Sequence, residues 1–268
     1  MLATPAIEFR NVSLAFDEKP VLTHISFQLE NSGTLFLLGV TGSGKSVMLK
    51  LILGLLRPDE GQILVEGRDL TPLSEEQLHP IRKRMGMVFQ EGALFDSLTV
   101  RENVAFRFRE EGFSDEEAIE RRVREVLRFV EMEEAIEKMP ADLSGGMRRR
   151  VSIARALVSE PAIMLYDSPT AGLDPVTSNT IIVQIAKLRD VQHVTSIVVT
   201  HRLQDSFMLA NFAYSDREQT LTPAPTGDHG GPRATTRFLV LRGGQGYFAG
   251  NEEELMHASD PYLRSFLA

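Results

Sequence analysis

The sequence has no cysteine. Disulfides, thiolate metal sites and cysteine nucleophiles are therefore excluded, and a reducing compartment fits easily. A basic excess is also missing: 37 acidic against 29 basic residues leave a formal charge of −8. Nucleic-acid binders usually carry the opposite balance, so that class loses ground and no nucleic-acid partner is expected. Long apolar runs are absent too. Stretches such as Thr34–Val40 and Ser196–Val199 fall far short of the ~20 residues that cross a bilayer as a helix. Met1–Arg10 has no basic start followed by an apolar run and does not read as a secretory signal. If the protein works at a membrane, a partner must supply the membrane part.

What remains is the composition of an ordinary folded domain: 43% hydrophobic and 25% charged over 268 residues, enough for one large domain or two modest ones. Ile7–Phe16 and Val21–Leu29 read as strands around a polar turn, Asp17–Pro20. Leu35–Leu38 is a short apolar strand, and Lys45–Leu56 has helical spacing of Met48, Leu49, Ile52 and Leu55. Gln62–Val65 and Gly86–Phe89 read as strands. Between them Ser74–Met85 looks helical, with Pro80 expected to kink or divide it.

Residues 91–158 change texture, with Ile119, Val123, Val126 and Val130 at helix intervals, and read as a helical insertion in an α/β core. The core, 1–90 and 159–268, resumes with the strand Ala162–Tyr166, a helix from Pro175, the strand Ser196–Thr200 and a helix from Leu203. Short apolar strands alternating with helices predict a mostly parallel sheet covered on both faces. Ser215–Thr236 is crowded with proline and glycine and is expected to be a loop or flexible insertion. A hairpin around Gly243–Gly244 and two short helices, Asn251–His257 and Asp260–Phe266, close the chain.

The chemistry starts at Gly39-Val40-Thr41-Gly42-Ser43-Gly44-Lys45-Ser46, which matches GxxxxGK[ST] between an apolar strand and an apolar-periodic helix. Glycines let backbone N–H groups turn inward around phosphate oxygens, and the helix N-terminus favours the anion. Lys45 offers a point charge to the β- and γ-phosphates of ATP, and the Ser46 hydroxyl is placed to ligate Mg²⁺. The bland alternative is a glycine-rich strand-to-helix turn. Further on, the apolar strand Ile163–Tyr166 delivers the carboxylate of Asp167, as P-loop enzymes do for magnesium. Leu143-Ser144-Gly145-Gly146-Met147 precedes an apolar-periodic helix. Structurally Ser144 is an N-cap. Functionally, its hydroxyl and the glycine N–H groups make a second anion site, and with one phosphate loop per chain it must serve another chain's nucleotide.

In this order, the phosphate loop, Gln90, LSGG, Asp167 and His201 resemble the ABC ATPase domain over nearly the whole chain. The resemblance implies a RecA-like P-loop α/β core with an N-terminal antiparallel β subdomain and an inserted α-helical subdomain. It implies MgATP as cofactor, bound between two ATPase subunits, most simply a homodimer. Gln90 would touch Mg²⁺ and the transporter. Asp174 would communicate across the dimer, His201 would meet the γ-phosphate, and Phe16 would stack on adenine. Each has a plainer reading: Asp174 before Pro175 is a good N-cap, Gln90 and His201 could be surface groups, and Phe16 could be core. The Arg148–Arg150 run reads as a solvated helix face rather than a phosphate clamp.

One position departs from the pattern. The family places a water-polarising glutamate directly after the magnesium aspartate, and here Ser168 stands there. A serine hydroxyl is a poor base at neutral pH, and losing a general base typically costs about 10²–10⁴ in rate. Within the family, Phe89–Val104, the methionine of LSGGM and the closing Asp-Pro-Tyr-Leu-Arg-Ser-Phe-Leu are similar to the ATPases that partner MCE proteins in bacterial lipid transport. That likeness implies a separate membrane permease, an MCE-type lipid-binding partner and a peripheral place on the cytoplasmic face of the inner membrane. Two rivals stand beside it: a soluble, non-transport ABC ATPase, and an ATP-dependent clamp that scarcely hydrolyses.

Overall fold

The computed structural model describes residues 4–224 and 235–267. Along the chain β1 (Ile7–Phe16), β2 (Lys19–Leu29) and β3 (Thr34–Gly39) precede α1 (Lys45–Ile52). Then come β4 (Glu60–Val65), β5 (Arg68–Asp69), α2 (Glu75–Arg82) and β6 (Met85–Val88). Helices α3 (Val100–Glu110), α4 (Glu116–Phe129) and α5 (Gly145–Leu157) fill the interval before β7 (Ile163–Asp167). After α6 (Pro175–Gln192) follow β8 (Thr195–Val199), α7 (Leu203–Asn211), β9 (Phe212–Ser215) and β10 (Thr220–Pro223). Finally come β11 (Thr236–Arg242), β12 (Gln245–Gly250), α8 (Glu252–Met256) and α9 (Pro261–Leu267).

The central sheet runs β12-β11-β3-β8-β7-β6, parallel throughout except for the antiparallel edge strand β12. Its alternating side chains split cleanly between two cores. Phe36, Leu38, Tyr166, Val198 and Phe238 face α5 and α6, whereas Leu35, Leu37, Leu165, Ile197 and Leu239 face α1 and the second sheet. Both faces are covered, as unbroken apolar strands require. The second sheet, β2-β1-β4-β5, is antiparallel. Its β1–β2 turn is tight, with Asp17 and Glu18 both at positive φ, the geometry that matches strand twist in a two-residue hairpin.

Local chemistry sets the helix limits. Ser74 with Gln77 and Thr99 with Glu102 form reciprocal capping boxes at the starts of α2 and α3. The helix read as Lys45–Leu56 stops at Ile52, because Gly54 takes positive φ and its turn bonds the last carbonyls. Pro80 does not divide α2, which runs through it to Arg82. Its missing N–H falls within the last turn, so little helix remains to be broken.

Two expectations need correction. The stretch Ser215–Thr236 is not wholly a loop: Phe212–Ser215 and Thr220–Pro223 pair as an antiparallel hairpin, and Thr236 already belongs to β11. Tyr214 and Leu221 pack against the core, Lys187 lies over the Tyr214 ring, and the Tyr214 amide donates to Asp190. The expectation for residues 225–234 lies outside the described residues. Arg148–Arg150 is not a solvated face either. All three donate to backbone carbonyls, Arg148 to Leu143, Arg149 to Phe89 and Arg150 to Val130 and Glu131, and Arg149 is only 5% exposed.

Candidate functional site

Four neighbouring parallel strands end on one edge of the sheet, and each releases a polar loop there. β3 leads into Gly39–Ser46, β7 ends in Asp167, β8 leads to His201, and β6 leads to Gln90. The carboxyl edge of an open α/β sheet is where such folds hold ligands.

The first loop is built around glycine. At Gly39 and Gly44, φ is 145° and 100°. A β-carbon on Gly39 would lie 2.6 Å from the Leu241 carbonyl and the Ser43 hydroxyl, and one on Gly44 would strike Leu22. Only glycine lets the loop close against its neighbours. Val40, Thr41, Gly42 and Ser46 are exposed, so the rim is open to a ligand, while Ser43 and Lys45 are buried. Lys45 Nζ folds back onto the carbonyls of Gly39 (2.8 Å) and Val40 (2.9 Å). Burial pushes its pKa down, and Asp167 pulls it back up from a distance. Among the described residues no carboxylate lies within ion-pair distance of Lys45. A buried cation without a contacting anion is costly, and a polyphosphate would relieve that cost.

Asp167 is part-exposed, and the Ser168 hydroxyl donates to its Oδ1 over 3.5 Å. Among the described residues no other hydrogen bond or ion pair reaches its carboxylate. No group of three or more His, Asp or Glu side chains forms a cation site among the described residues. Mg²⁺ suits this setting nonetheless, since it takes oxygen from one carboxylate, a hydroxyl and the substrate phosphates rather than from an all-protein cage. Ser46, Asp167 (through water) and exposed Gln90 supply the oxygen types that fit.

Ser168 is buried at 4% and has φ of 50°, with its amide bonded to the Val199 carbonyl. His201 is exposed on the same edge. Burial lowers its pKa first and the Lys45 cation second, while Asp167 works the other way. The mutual influence of Lys45, Asp167 and His201 brings three expected residues together. Phe16, at the tip of the β1–β2 hairpin, is 45% exposed, so the core alternative fails. That hairpin abuts the loop where Leu22 meets Gly44.

Ser144, Gly145 and Gly146 form a separate group. Ser144 caps α5, accepting from the Met147 amide at 3.3 Å, and both Ser144 and Gly145 are exposed. A β-carbon on Gly146 would come within 2.2 Å of Thr177, and one on Gly145 within 3.5 Å of Leu173. These neighbours flank Asp174, whose carboxylate caps α6 through Val176 and Thr177 and is held below the usual carboxylate range first by the Thr177 hydroxyl. Ser144, Gly145 and Asp174 therefore share one surface, with buried Gly146 packed on Thr177 beneath it. No hydrogen bond joins this group to Gly39–Ser46 among the described residues.

Sequence reasoning missed the groups behind the site. Buried Asp205 accepts from Thr170, tying the His201 segment to the loop that follows Ser168, and burial raises its pKa. Arg202 donates to Ser178 on α6 at 2.7 Å. Arg149 was discoverable: with Gly146 and Ile153 it falls on the inward stripe of α5 at intervals of three and four.

A phosphate loop at the end of β3, with a carboxylate at the same edge of the parallel sheet on β7, one strand beyond β8, defines a P-loop nucleotide-binding protein. Residues 22–171 match the ABC transporter family, and the chain belongs to that family as an ATP-binding subunit. It is 36% identical, over 83% of its length and 84% of the relative's, to the intermembrane phospholipid transport system ATP-binding protein MlaF of Haemophilus influenzae. It is 37% identical over 74% of its length to the methionine import ATP-binding protein MetN of Rhizobium johnstonii, but spans only 54% of that relative. Among solved structures it resembles the dimeric post-hydrolysis ATP-binding cassette MJ0796 bound to ADP and Pi. The TM-score is 0.74 and the identity 29%, covering 91% of this chain and 98% of that one. The cbiO1 subunit of Clostridium perfringens shares the fold, with TM-score 0.79 at 23% identity. No helix among the described residues is long and apolar enough to cross a membrane.

Proposed function

We propose that the chain binds MgATP as a homodimer and drives a separate membrane permease that moves a lipid-like substrate. The observation that carries the dimer is the exposure of Ser144 and Gly145 at a helix start, apart from the chain's own Lys45. A capped helix N-terminus with free glycine amides suits an anion. Its natural occupant is the γ-phosphate held by the partner's phosphate loop. Residues 91–158 then act as the signature subdomain against the core of 1–90 and 159–268.

When nucleotide binds, Lys45 exchanges the Gly39 and Val40 carbonyls for phosphate oxygens. Phe16 offers an open aromatic face to the base. Ser46, Gln90 and, through water, Asp167 would hold Mg²⁺, which would neutralise phosphate charge. His201, whose pKa burial and then the Lys45 cation lower, contacts the γ-phosphate as a hydrogen-bond donor.

The membrane partner is supported by a groove of about 540 Å³ beside Gln90, lined by Met87, Phe89, Phe95 and Phe106. Phe89 and Phe95 are more than 40% exposed, which is apolar surface of the kind that partners cover. Lipid as the cargo rests on the similarity to MlaF over 84% of that relative's length, whereas the methionine-import relative is only about half covered. An MCE-type protein is the companion this implies, and the cytoplasmic face of the inner membrane the place. The decisive experiment is affinity capture from detergent-solubilised membranes. Recovery of a permease with phospholipid-stimulated turnover supports the reading; capture with a methionine-type importer or with no membrane protein refutes it.

A second reading is favoured by Ser168: a nucleotide-dependent clamp that closes on ATP and hydrolyses slowly. Turnover of the complete complex separates a motor from a clamp.

A further inference from the structure

Gln90 sits in a four-residue turn, Phe89–Gly92, closed by the Gly92 amide donating to the Phe89 carbonyl at 2.9 Å. Gln90 and Glu91 are its central residues, and their side chains are exposed. The turn owes its position to two arginines of α5. Arg149 Nη1 donates to the same Phe89 carbonyl at 2.6 Å, and Arg155 donates to the carbonyls of Gly92 (3.0 Å) and Ala93 (2.8 Å). The Arg155 guanidinium also lies over the Phe95 ring, 5.7 Å from its centroid. Gly92 itself rests on the helix, since a β-carbon there would lie 3.4 Å from the Arg148 carbonyl.

Arg149 occupies a position on the inward stripe of α5 where an apolar side chain would avoid the cost of burying a charge. Among the described residues it has no carboxylate within ion-pair distance, and Arg155 has none either. Their donors instead hold backbone carbonyls on both sides of Gln90, so they set where the turn lies whatever its side chains are. Arg149 is only one helical turn beyond Gly145, where α5 begins.

We propose that Arg149 and Arg155 are positioning residues that fasten the Gln90 turn to α5, so that γ-phosphate sensing and presentation of Ser144 to the partner move as one body. The proposal rests on the reading that Gln90 faces the chain's own nucleotide and Ser144 the partner's. Loss of the tether leaves the phosphate loop intact. Its effect therefore falls on dimer closure, not on nucleotide capture by the monomer.

The test uses the full chain carrying Arg149→Met with Arg155→Gln, each single variant, and Arg149→Lys. ATP affinity is measured by calorimetry at concentrations where the chain is monomeric, and ATP-driven dimerisation by light scattering. We expect monomer affinity within about twofold of wild type and a dimer dissociation constant raised about tenfold or more, the scale of one lost charge-assisted hydrogen bond. Arg149→Lys, which keeps a cationic donor for the Phe89 carbonyl, recovers most of the loss. General damage to packing would not select dimerisation over ATP affinity, nor respond to lysine. A folded double variant that dimerises like wild type overturns the tether, as does equal loss of both readouts. If the double variant does not fold, the part-exposed Arg155→Gln decides by the same two measurements. A wild-type chain that binds ATP but never dimerises overturns the underlying reading, and the proposal with it.

Discussion

Ser168→Glu tests whether hydrolysis is limited by a missing carboxylate. Ser168 already sits at φ 50°, and serine and glutamate both carry a β-carbon, so the exchange adds little backbone strain. Room and charge set the cost. The position is 4% exposed, and a longer side chain there meets part-exposed Asp167, whose Oδ1 is 3.5 Å from the serine hydroxyl. Two carboxylates about 4–5 Å apart at an effective dielectric of about 20 repel by roughly 3–4 kcal/mol before any cation intervenes. A domain stability of about 5–15 kcal/mol tolerates that. The gain from a positioned base is about 10²–10⁴ in rate, or roughly 3–5 kcal/mol of barrier. Bound Mg²⁺ offsets part of the repulsion, so the expected net rise in turnover is about ten- to a hundredfold. The assay is phosphate release at saturating MgATP, with affinity measured in parallel and Ser168→Gln as the uncharged control. A folded, ATP-binding Glu variant with unchanged turnover would show that another group already activates the water.

Ser144→Arg should spare ATP binding by the monomer yet abolish ATP-driven dimers in light scattering, because in the proposed dimer the new side chain would fill the site of the partner's γ-phosphate. The His201 imidazole should titrate by NMR below its ordinary value near 6.5. Lys45→Met should raise that midpoint by removing the second cause of the shift, and Asp167→Asn should lower it. The sign for stability follows: a depressed histidine contributes above its unfolded value, and that contribution is lost as pH falls from about 6.5 through the folded value. Tyr166→Phe removes a fully buried hydroxyl that has no hydrogen-bond partner among the described residues, so denaturant unfolding should show stability unchanged or raised by about 1 kcal/mol. Leu221→Ala in the β9–β10 hairpin should cost about 1–2 kcal/mol by the same method, less than a fully buried leucine; no loss would restore the view of this stretch as a dispensable loop.

The strands and the phosphate loop were legible because each carries its own local cause: continuous apolar runs for a doubly covered sheet, and glycines where φ is positive. Asp167 and His201 were legible as strand-end residues, although their meeting with Lys45 depends on strand order, which local pattern does not encode. The β9–β10 hairpin was hidden because its strands are four residues each and its order comes from Tyr214 and Leu221 packing on the core and Lys187. Arg149 was overlooked for the opposite reason. Three consecutive arginines look solvated, and only the register of α5 shows that the middle one turns inward. Ser168 was visible as a departure, but its burial and left-handed backbone were not.

The contact between Gly146 and Thr177 bears on how defects would be inherited in a mixed population of subunits. Any side chain at Gly146 must displace the Thr177 methyl group of α6 or α5 itself, since a β-carbon there would lie 2.2 Å from that methyl. Such a chain keeps its own phosphate loop and still captures ATP. What it damages, in a dimer of the proposed kind, is the half-site offered to its neighbour's nucleotide. One variant subunit therefore disables the ATP of a healthy partner while its own ATP remains properly enclosed. When variant and normal chains mix freely, the pairs containing at least one variant outnumber the variant chains' own homodimers. The lesion at a single glycine then spreads by assembly rather than by copy number, and its severity depends on whether the motor needs one closed site or two.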